Sequence, residues 1–164
     1  MPEEKERAYY DSPIGTIEII RNKRGVWRLG FVSRKPAFPP EVPHSLKVAV
    51  DELDEYFQGI RRNFSFPLDL EGTDFQKRVW RELCRIPYGI TASYAAVAVA
   101  IGKSGACRAV GRANHCNPIA IAVPCHRVVG SDGKLTGYGG GLWRKKWLLE
   151  HEHRLSCQPG KAVG

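Results

Sequence analysis

The segment Ile119-Ala-Ile-Ala-Val-Pro-Cys-His-Arg-Val-Val-Gly130 constrains this chain more than any other. Ile119, Ile121 and Val123 alternate with alanines, and period-two alternation predicts a half-buried strand. Pro124 lacks a backbone donor, so it predicts the end of that ladder. Cys125 would then sit just past the stop, held by a rigid core yet at its edge. His126 supplies a base or a cation beside it, and either favours thiolate over thiol. In an extended segment neighbouring side chains point to opposite faces. A relay through water is therefore expected between Cys125 and His126, not a direct bond. The residues alone leave a second reading open, a buried structural cysteine beside a surface histidine.

With 164 residues the chain can bury a good core in one or two small domains. Its 25 basic and 17 acidic side chains give a net charge of +8, which favours a polyanionic partner, nucleic acid first. A merely soluble basic protein is the alternative. No apolar run approaches a membrane span, and Met-Pro-Glu-Glu-Lys-Glu-Arg lacks the apolar region of a signal peptide. Cys84, Cys107, Cys116, Cys125 and Cys157 are an odd set without close pairing, which argues for free thiols in a reducing compartment. With no C-x-x-C or H-x-x-x-H spacing, zinc is left as a minor alternative, since a closed structural site needs four convergent ligands.

Along the chain, Tyr9 to Val32 reads as a hairpin turning at Asn22-Lys-Arg-Gly25. Leu46, Ala49, Val50, Leu53, Tyr56 and Phe57 form one stripe of an amphipathic helix that Gly59 ends. Asn63 to Leu68 predicts a further short strand. No catalytic cluster falls in this first third. Glu71-Gly72 marks a boundary, after which Thr73-Asp-Phe-Gln76 is a capping box. The helix it opens is predicted to bury Phe75, Val79, Leu83 and Ile86, and Pro87-Tyr88-Gly89 stops it. Ser93 caps a helix over Tyr94 to Ile101, Gly102-Lys-Ser-Gly105 turns, and a second helix runs from Ala106 to about His115.

Two short helices joined by a glycine-bearing turn form a helix-turn-helix pattern, weak by itself because helical hairpins are common in cores. Arg108 and Arg112 lie four apart and share a face of the second helix. Ala109, Gly111 and Ala113 would keep that surface thin, and Lys103 and Ser104 occupy the turn, where phosphate contacts arise. A solvated basic helix is the plainer alternative. Past Gly130-Ser-Asp-Gly133, Tyr138 adjoins Gly139-Gly140-Gly141, an aromatic beside a flexible loop that could close over a flat ligand. The last helix, Leu142 to about His151, is predicted to bury Trp143, Trp147, Leu148 and Leu149. Glu152 falls at its C-terminal end, where a carboxylate opposes the helix dipole and wants a partner.

Pro124-Cys-His-Arg-Val128 resembles the active-site signature of the O6-alkylguanine-DNA alkyltransferases, the methylated-DNA–protein-cysteine methyltransferases. Cys107-Arg-Ala-Val-Gly111, Asn117-Pro118, Thr91-Ala-Ser-Tyr94, Gly137-Tyr138 through Gly141 and Trp147-Leu-Leu-Glu-His-Glu152 fit the same family in order and spacing. The match runs from about Gly72 to His153.

The resemblance implies an α/β protein with three parts. These are a small ribonuclease-H-like structural domain over 1–71 (hairpin sheet plus helix), a helical, winged-helix-like DNA-binding and active-site domain with a helix-turn-helix over 72–155, and a disordered tail over 156–164. It further implies stoichiometric transfer of an alkyl group from O6-alkylguanine, or O4-methylthymine, in double-stranded DNA to Cys125, without a cofactor. His126 would act through water, Glu152 would orient the imidazole, and Asn117 would hold the turn between recognition helix and active site. Arg108 would enter the base stack, and Tyr94 would crowd a phosphate and donate a proton to the leaving base. Lys103, Ser104, Ala109 and Arg112 would contact DNA. Pro124, Val128, Tyr138, Gly139 and Gly140 would line the alkyl pocket. A cytoplasmic monomer is implied, nucleoid-associated in a prokaryote, with cooperative binding along DNA left open.

Two departures stand out. Lys103-Ser-Gly-Ala-Cys107 replaces a turn in which members often carry proline and alanine, and the N-terminal zinc-binding cysteines of some members have no counterpart, so no metal is expected. Two other classes compete: a non-catalytic damage-binding relative, in which the acceptor cysteine is replaced, and a Cys-His-Glu hydrolase. The hydrolase would need an oxyanion hole, for which there is no dedicated motif.

Overall fold

The computed structural model describes residues 4–37 and 40–156. The chain divides into two compact units, the first ending at Leu70 and the second beginning at Glu71.

The first unit is built on three antiparallel strands, β1 (Glu6–Ser12), β2 (Gly15–Asn22) and β3 (Gly25–Phe31), in the order β1-β2-β3. The expected single hairpin is thus a three-stranded meander. A tight turn after Ser12 pairs it with Gly15, and the alternation on either side had hidden it. At the second turn the Asn22 side chain accepts from the backbone N–H groups of Arg24 and Gly25. Gly25 adopts φ 153°, and a Cβ there would stand 2.5 Å from the Pro67 carbonyl oxygen, so only glycine lets the chain pass so closely. Val26 bridges Leu68 in parallel at that point, but residues 63–67 form no strand, contrary to the sequence expectation.

Helix α1 (His44–Phe57) packs on β1, burying Leu46, Ala49, Leu53, Tyr56 and Phe57 as the apolar stripe requires. Val50, expected in that stripe, is only half-buried. Glu52 is buried as well, and it accepts from Ser65 and pairs with Arg61.

The second unit opens with α2 (Asp74–Leu83) behind the complete capping box of Thr73 and Gln76. It buries Val79, Trp80 and Leu83, while Phe75 is only half-buried. Trp80, absent from the expected core, donates its indole N–H to the Ala113 carbonyl at 2.8 Å. Ala113 is therefore a buried support of the second helix and not part of its thin outer surface. Helix α3 (Tyr94–Ala100), capped by the Ser93 hydroxyl, and α4 (Cys107–His115) form the expected helix-turn-helix, each packing on the other and on α2.

A two-residue strand β4 (Ala92–Ser93) pairs in parallel with β5 (Val128–Val129). The return from Lys134 to Tyr138 makes no strand. Helix α5 (Leu142–Ser156) runs past its expected end; the rest of the expected tail, residues 157–164 with Cys157, lies outside the described residues.

Candidate active site

The strand expected over Ile119–Val123 does not exist. The chain there closes a turn in which the Val123 N–H donates to the Ile119 carbonyl and Ile121 takes φ 70°. A β-branched residue in the left-handed region is strained, at a cost of order 1–3 kcal/mol. Two features hold it there. Ile119, Ile121 and Val123 are all buried, so the apolar alternation serves a core-facing turn. Asn117 clamps both ends, its Nδ2 donating to the Val123 carbonyl at 2.8 Å while its Oδ1 accepts from the Ile119 N–H at 3.0 Å. Pro124 does not end a ladder; it starts the 3-10 turn Cys125–Arg127, its carbonyl accepting from the Arg127 N–H.

That turn presents Cys125, His126 and Arg127 in three directions, all of them buried. The His126 Nε2 lies 2.7 Å from Glu152 Oε2. A carboxylate only accepts, so Nε2 carries the hydrogen and the lone pair resides on Nδ1. Nδ1 is buried and has no protein partner. No hydrogen bond joins it to Cys125, so a bridging water is the natural link; the cause is a tight turn and not an extended strand.

Glu152 receives more than the histidine. Arg127 donates from Nε at 2.8 Å and from Nη2 at 3.1 Å, and the Gly89 N–H donates at 3.2 Å. Gly89 adopts φ 77°, and a Cβ there would stand 2.8 Å from Ser156, so glycine is needed to bring that N–H in. Burial alone would raise the Glu152 carboxyl, but His126 and Arg127 overturn it and hold the group well below the usual carboxylate range. Arg127 is fixed in turn by donating to the Ile86 carbonyl at 2.7 Å. The sequence reading left Arg127 without a role, though its position beside Cys-His was the available signal.

The thiol itself is not poised as a free thiolate. Burial pushes Cys125 up, and the Asn117 amide and the Lys145 ammonium pull it only part of the way back. This corrects the expectation that His126 simply favours thiolate: the site stores a neutral thiol beside a base that can take its proton. Asn114, buried at the end of α4, donates to the Cys125 carbonyl at 3.3 Å and ties the second helix to the turn that carries the candidate acceptor.

Helix α5 turns a polar face inward. Lys145, Leu148, His151 and Glu152 are buried, whereas Trp143, expected inside, is 57% exposed. Trp147 and Leu149 are half-buried. The Lys145 Nζ donates to the carbonyls of Thr136 at 2.8 Å and Gly137 at 3.3 Å. Neither Lys145 nor Asn114 was singled out from the sequence.

Among the remaining expected residues, Arg108, Arg112, Lys103 and Ser104 are exposed on α4 and its preceding turn, with Ala109 half-buried between the arginines. Tyr94 heads α3, and its hydroxyl donates to the Thr136 carbonyl at 3.0 Å. Pro124, Val128 and Tyr138 are buried, and the Tyr138 hydroxyl has no protein partner. Gly139 is exposed, and the Gly140 carbonyl accepts from Arg144 at 2.8 Å. Among the described residues no cluster of three His, Cys, Asp or Glu could hold a metal, and no helix is long and apolar enough to cross a membrane.

Fold and site together define a helix-turn-helix protein whose second helix is tied to a buried thiol with a built-in proton acceptor. The chain belongs to the 6-O-methylguanine DNA methyltransferase family, whose ribonuclease-like domain profile matches residues 6–70 and whose DNA binding domain profile matches residues 74–154. It is 51% identical over 152 residues to a methylated-DNA–protein-cysteine methyltransferase of Methanosarcina barkeri, covering 88% of this chain and 96% of the relative. A Mycobacterium bovis protein of the same name is 51% identical over 148 residues, 87% of this chain and 88% of its own. The crystal structure of Mycobacterium tuberculosis O6-methylguanine methyltransferase superposes with a TM-score of 0.85 at 46% identity, covering 96% of each chain. The Mycobacterium tuberculosis OGT solved in complex with DNA gives 0.82 at 48% identity, covering 93% of this chain and 96% of its own.

Proposed function

We propose that this protein repairs alkylated DNA by direct reversal, moving the alkyl group from O6 of guanine in duplex DNA onto Cys125. The observation that carries the reading is the buried line of Cys125, His126 Nδ1, His126 Nε2 and Glu152, set at the foot of a helix-turn-helix. A soft sulfur nucleophile suits attack on saturated carbon. As the sulfur–carbon bond forms, the carbon–O6 bond breaks and its electron pair passes to the base. The thiol proton goes through water to His126 Nδ1, while Nε2 stays hydrogen-bonded to Glu152. The departing base gains a proton, and Tyr94 is the candidate donor once its hydroxyl leaves Thr136. The product is a thioether, which water does not cleave, so each molecule acts once.

Burial of Cys125 requires the target base to leave the duplex, because the sulfur cannot reach an alkyl group inside a stacked helix. Unstacking costs a few kcal/mol. Exposed Arg108 on α4 fills the gap, while Arg112, Lys103 and Ser104 hold phosphates and Ala109 lets the backbone approach. Tyr138, Gly139, Gly140 and Pro124 wall the alkyl pocket, with Val128 behind them. Asn117 holds the turn. The substrates are O6-methylguanine and O4-methylthymine, the active form is a monomer, and the work is done in the compartment that holds DNA, the cytoplasm.

Intact-protein mass spectrometry after incubation with excess methylated duplex tests this. One methyl added per chain, mapped to Cys125, is the expected result. Unmodified protein would contradict the reading, and repaired DNA with unmodified protein would point to a turning-over hydrolase. Arg108→Ala should slow repair of duplex about tenfold or more, since it removes the group that offsets unstacking, while leaving reaction with free O6-benzylguanine within about twofold. Equal losses on both substrates would remove Arg108 from the base stack.

A further inference from the structure

We propose that Lys145 is a charge-dependent latch on the alkyl-acceptor pocket, tying the pocket loop to α5 and standing as the counter-charge of the Cys125 sulfur. The proposal deepens the alkyl-transfer reading and rests on it. Lysine is among the residue types least often fully buried. Lys145 is completely buried, while Lys146 beside it on α5 is exposed and Arg144 half-buried. A buried ammonium is tolerated only where its donors are satisfied. Two of its three N–H groups go to the carbonyls of Thr136 and Gly137, immediately before Tyr138.

The same Thr136 carbonyl accepts the Tyr94 hydroxyl at 3.0 Å, and the Lys145 Nζ stands 5.8 Å over the Tyr94 ring. One carbonyl therefore joins α3, the pocket loop and α5. Arg144 adds a second tie from the same helix turn to the Gly140 carbonyl. Among the described residues no carboxylate pairs with Lys145; the negative charge that would act on it is that of the Cys125 thiolate as it forms.

The titratable and charged groups around the pair are Tyr94 on α3, His126 and Arg127 on the 3-10 turn, Tyr138 on the loop, and Arg144 and Glu152 on α5. Arg127 is bound to Glu152, and burial holds the Tyr138 hydroxyl well above its ordinary range. Burial pushes Lys145 down to about 8, and negative charge on the Cys125 sulfur, when it forms, opposes the fall. The sign follows. Below that value the ammonium is present, the loop is tied, and a forming thiolate has its counter-charge. Above it the neutral amine holds the two carbonyls only by weaker, uncharged hydrogen bonds, so the tie loosens and the thiolate loses its partner.

Single-turnover transfer from saturating methylated duplex, followed by mass spectrometry from pH 6 to 9.5, tests this. Wild-type transfer should rise with pH and then fall above about 8, with duplex affinity measured at each pH to separate binding. Lys145→Met should lose about tenfold at pH 7, as expected when a counter-charge worth one pKa unit is removed, and its residual rate should show no alkaline fall. A wild-type profile without the fall overturns the latch, whatever the variant does. So does a variant slowed uniformly with the fall retained, because that is what a purely structural lysine would give. Wild-type protein that transfers nothing at any pH instead sinks the alkyl-transfer reading itself.

Discussion

Cys125→Ala is expected to abolish alkyl transfer while leaving duplex binding within about twofold of wild type. The side chain removed is small and buried in the second unit, and its backbone carbonyl, not its sulfur, is what Asn114 holds. The fold should therefore survive, with a stability cost of about 1 kcal/mol for the lost packing. The exposed cationic face of α4 is untouched, so the phosphate contacts proposed for it remain available. Cys84, Cys107 and Cys116 are free thiols and stay in the variant. None of them adjoins a histidine–carboxylate pair in the structure, so none should accept the alkyl group. Mass spectrometry of the variant after incubation with methylated duplex should show an unmodified chain. A methyl group found on another cysteine would show that the 3-10 turn is not the acceptor site.

How far the sequence could be read depended on the range of the interactions. Elements specified by their own residues were legible: the Thr73–Gln76 capping box, the Ser93 cap, the apolar stripe of α1 and the two short helices around the 102–105 turn. Elements specified by distant partners were not. Ile119 to Val123 carries strand periodicity, yet the Asn117 side chain closes it into a turn and forces Ile121 to positive φ. Burial is what the alternation reported; extension was inferred from it and was wrong.

On α5 the inward face carries Lys145, His151 and Glu152, so a search for an apolar stripe selected Trp143 instead. Lys145 and Glu152 face inward there on hydrogen bonds to the 136–137 carbonyls, His126 and Arg127, and hydrophobic patterning has no means of signalling that. The relay between Cys125 and His126 was legible from their adjacency, but that Glu152 pairs with His126 was legible only through the family's motif. Arg127 completes it through contacts that bridge 25 residues.

Glu152→Gln should cost more than its place at the edge of the mechanism suggests. Wild-type Glu152 neutralises Arg127 in a site where both are nearly inaccessible, and it also accepts from His126 and from Gly89. Removing its charge leaves a buried guanidinium facing a neutral amide. Breaking one side of a buried ion pair typically costs roughly 3–5 kcal/mol, because the remaining charge keeps its desolvation penalty. For a chain of this length that is a fall in Tm of about 10 °C.

The pH dependence follows from the direction of the shift. The folded carboxyl sits below its ordinary value of 4.5, so its contribution is complete above that value and is lost as pH falls toward the lower folded value. Wild type should therefore lose stability progressively below about pH 4.5, and Glu152→Gln should lack that part of the acid limb. Chemistry fails for a separate reason. Without the carboxylate, nothing fixes the hydrogen on His126 Nε2 and leaves Nδ1 free to take a proton, so transfer should drop by 10²-fold or more, the usual range for a positioned general base. Measuring Tm from pH 3 to 8 together with single-turnover transfer at pH 7 separates the two effects. An Arg127→Met/Glu152→Gln double variant, which removes both charges, should recover much of the Tm and none of the transfer. Recovery of both would mean that Glu152 serves the fold alone.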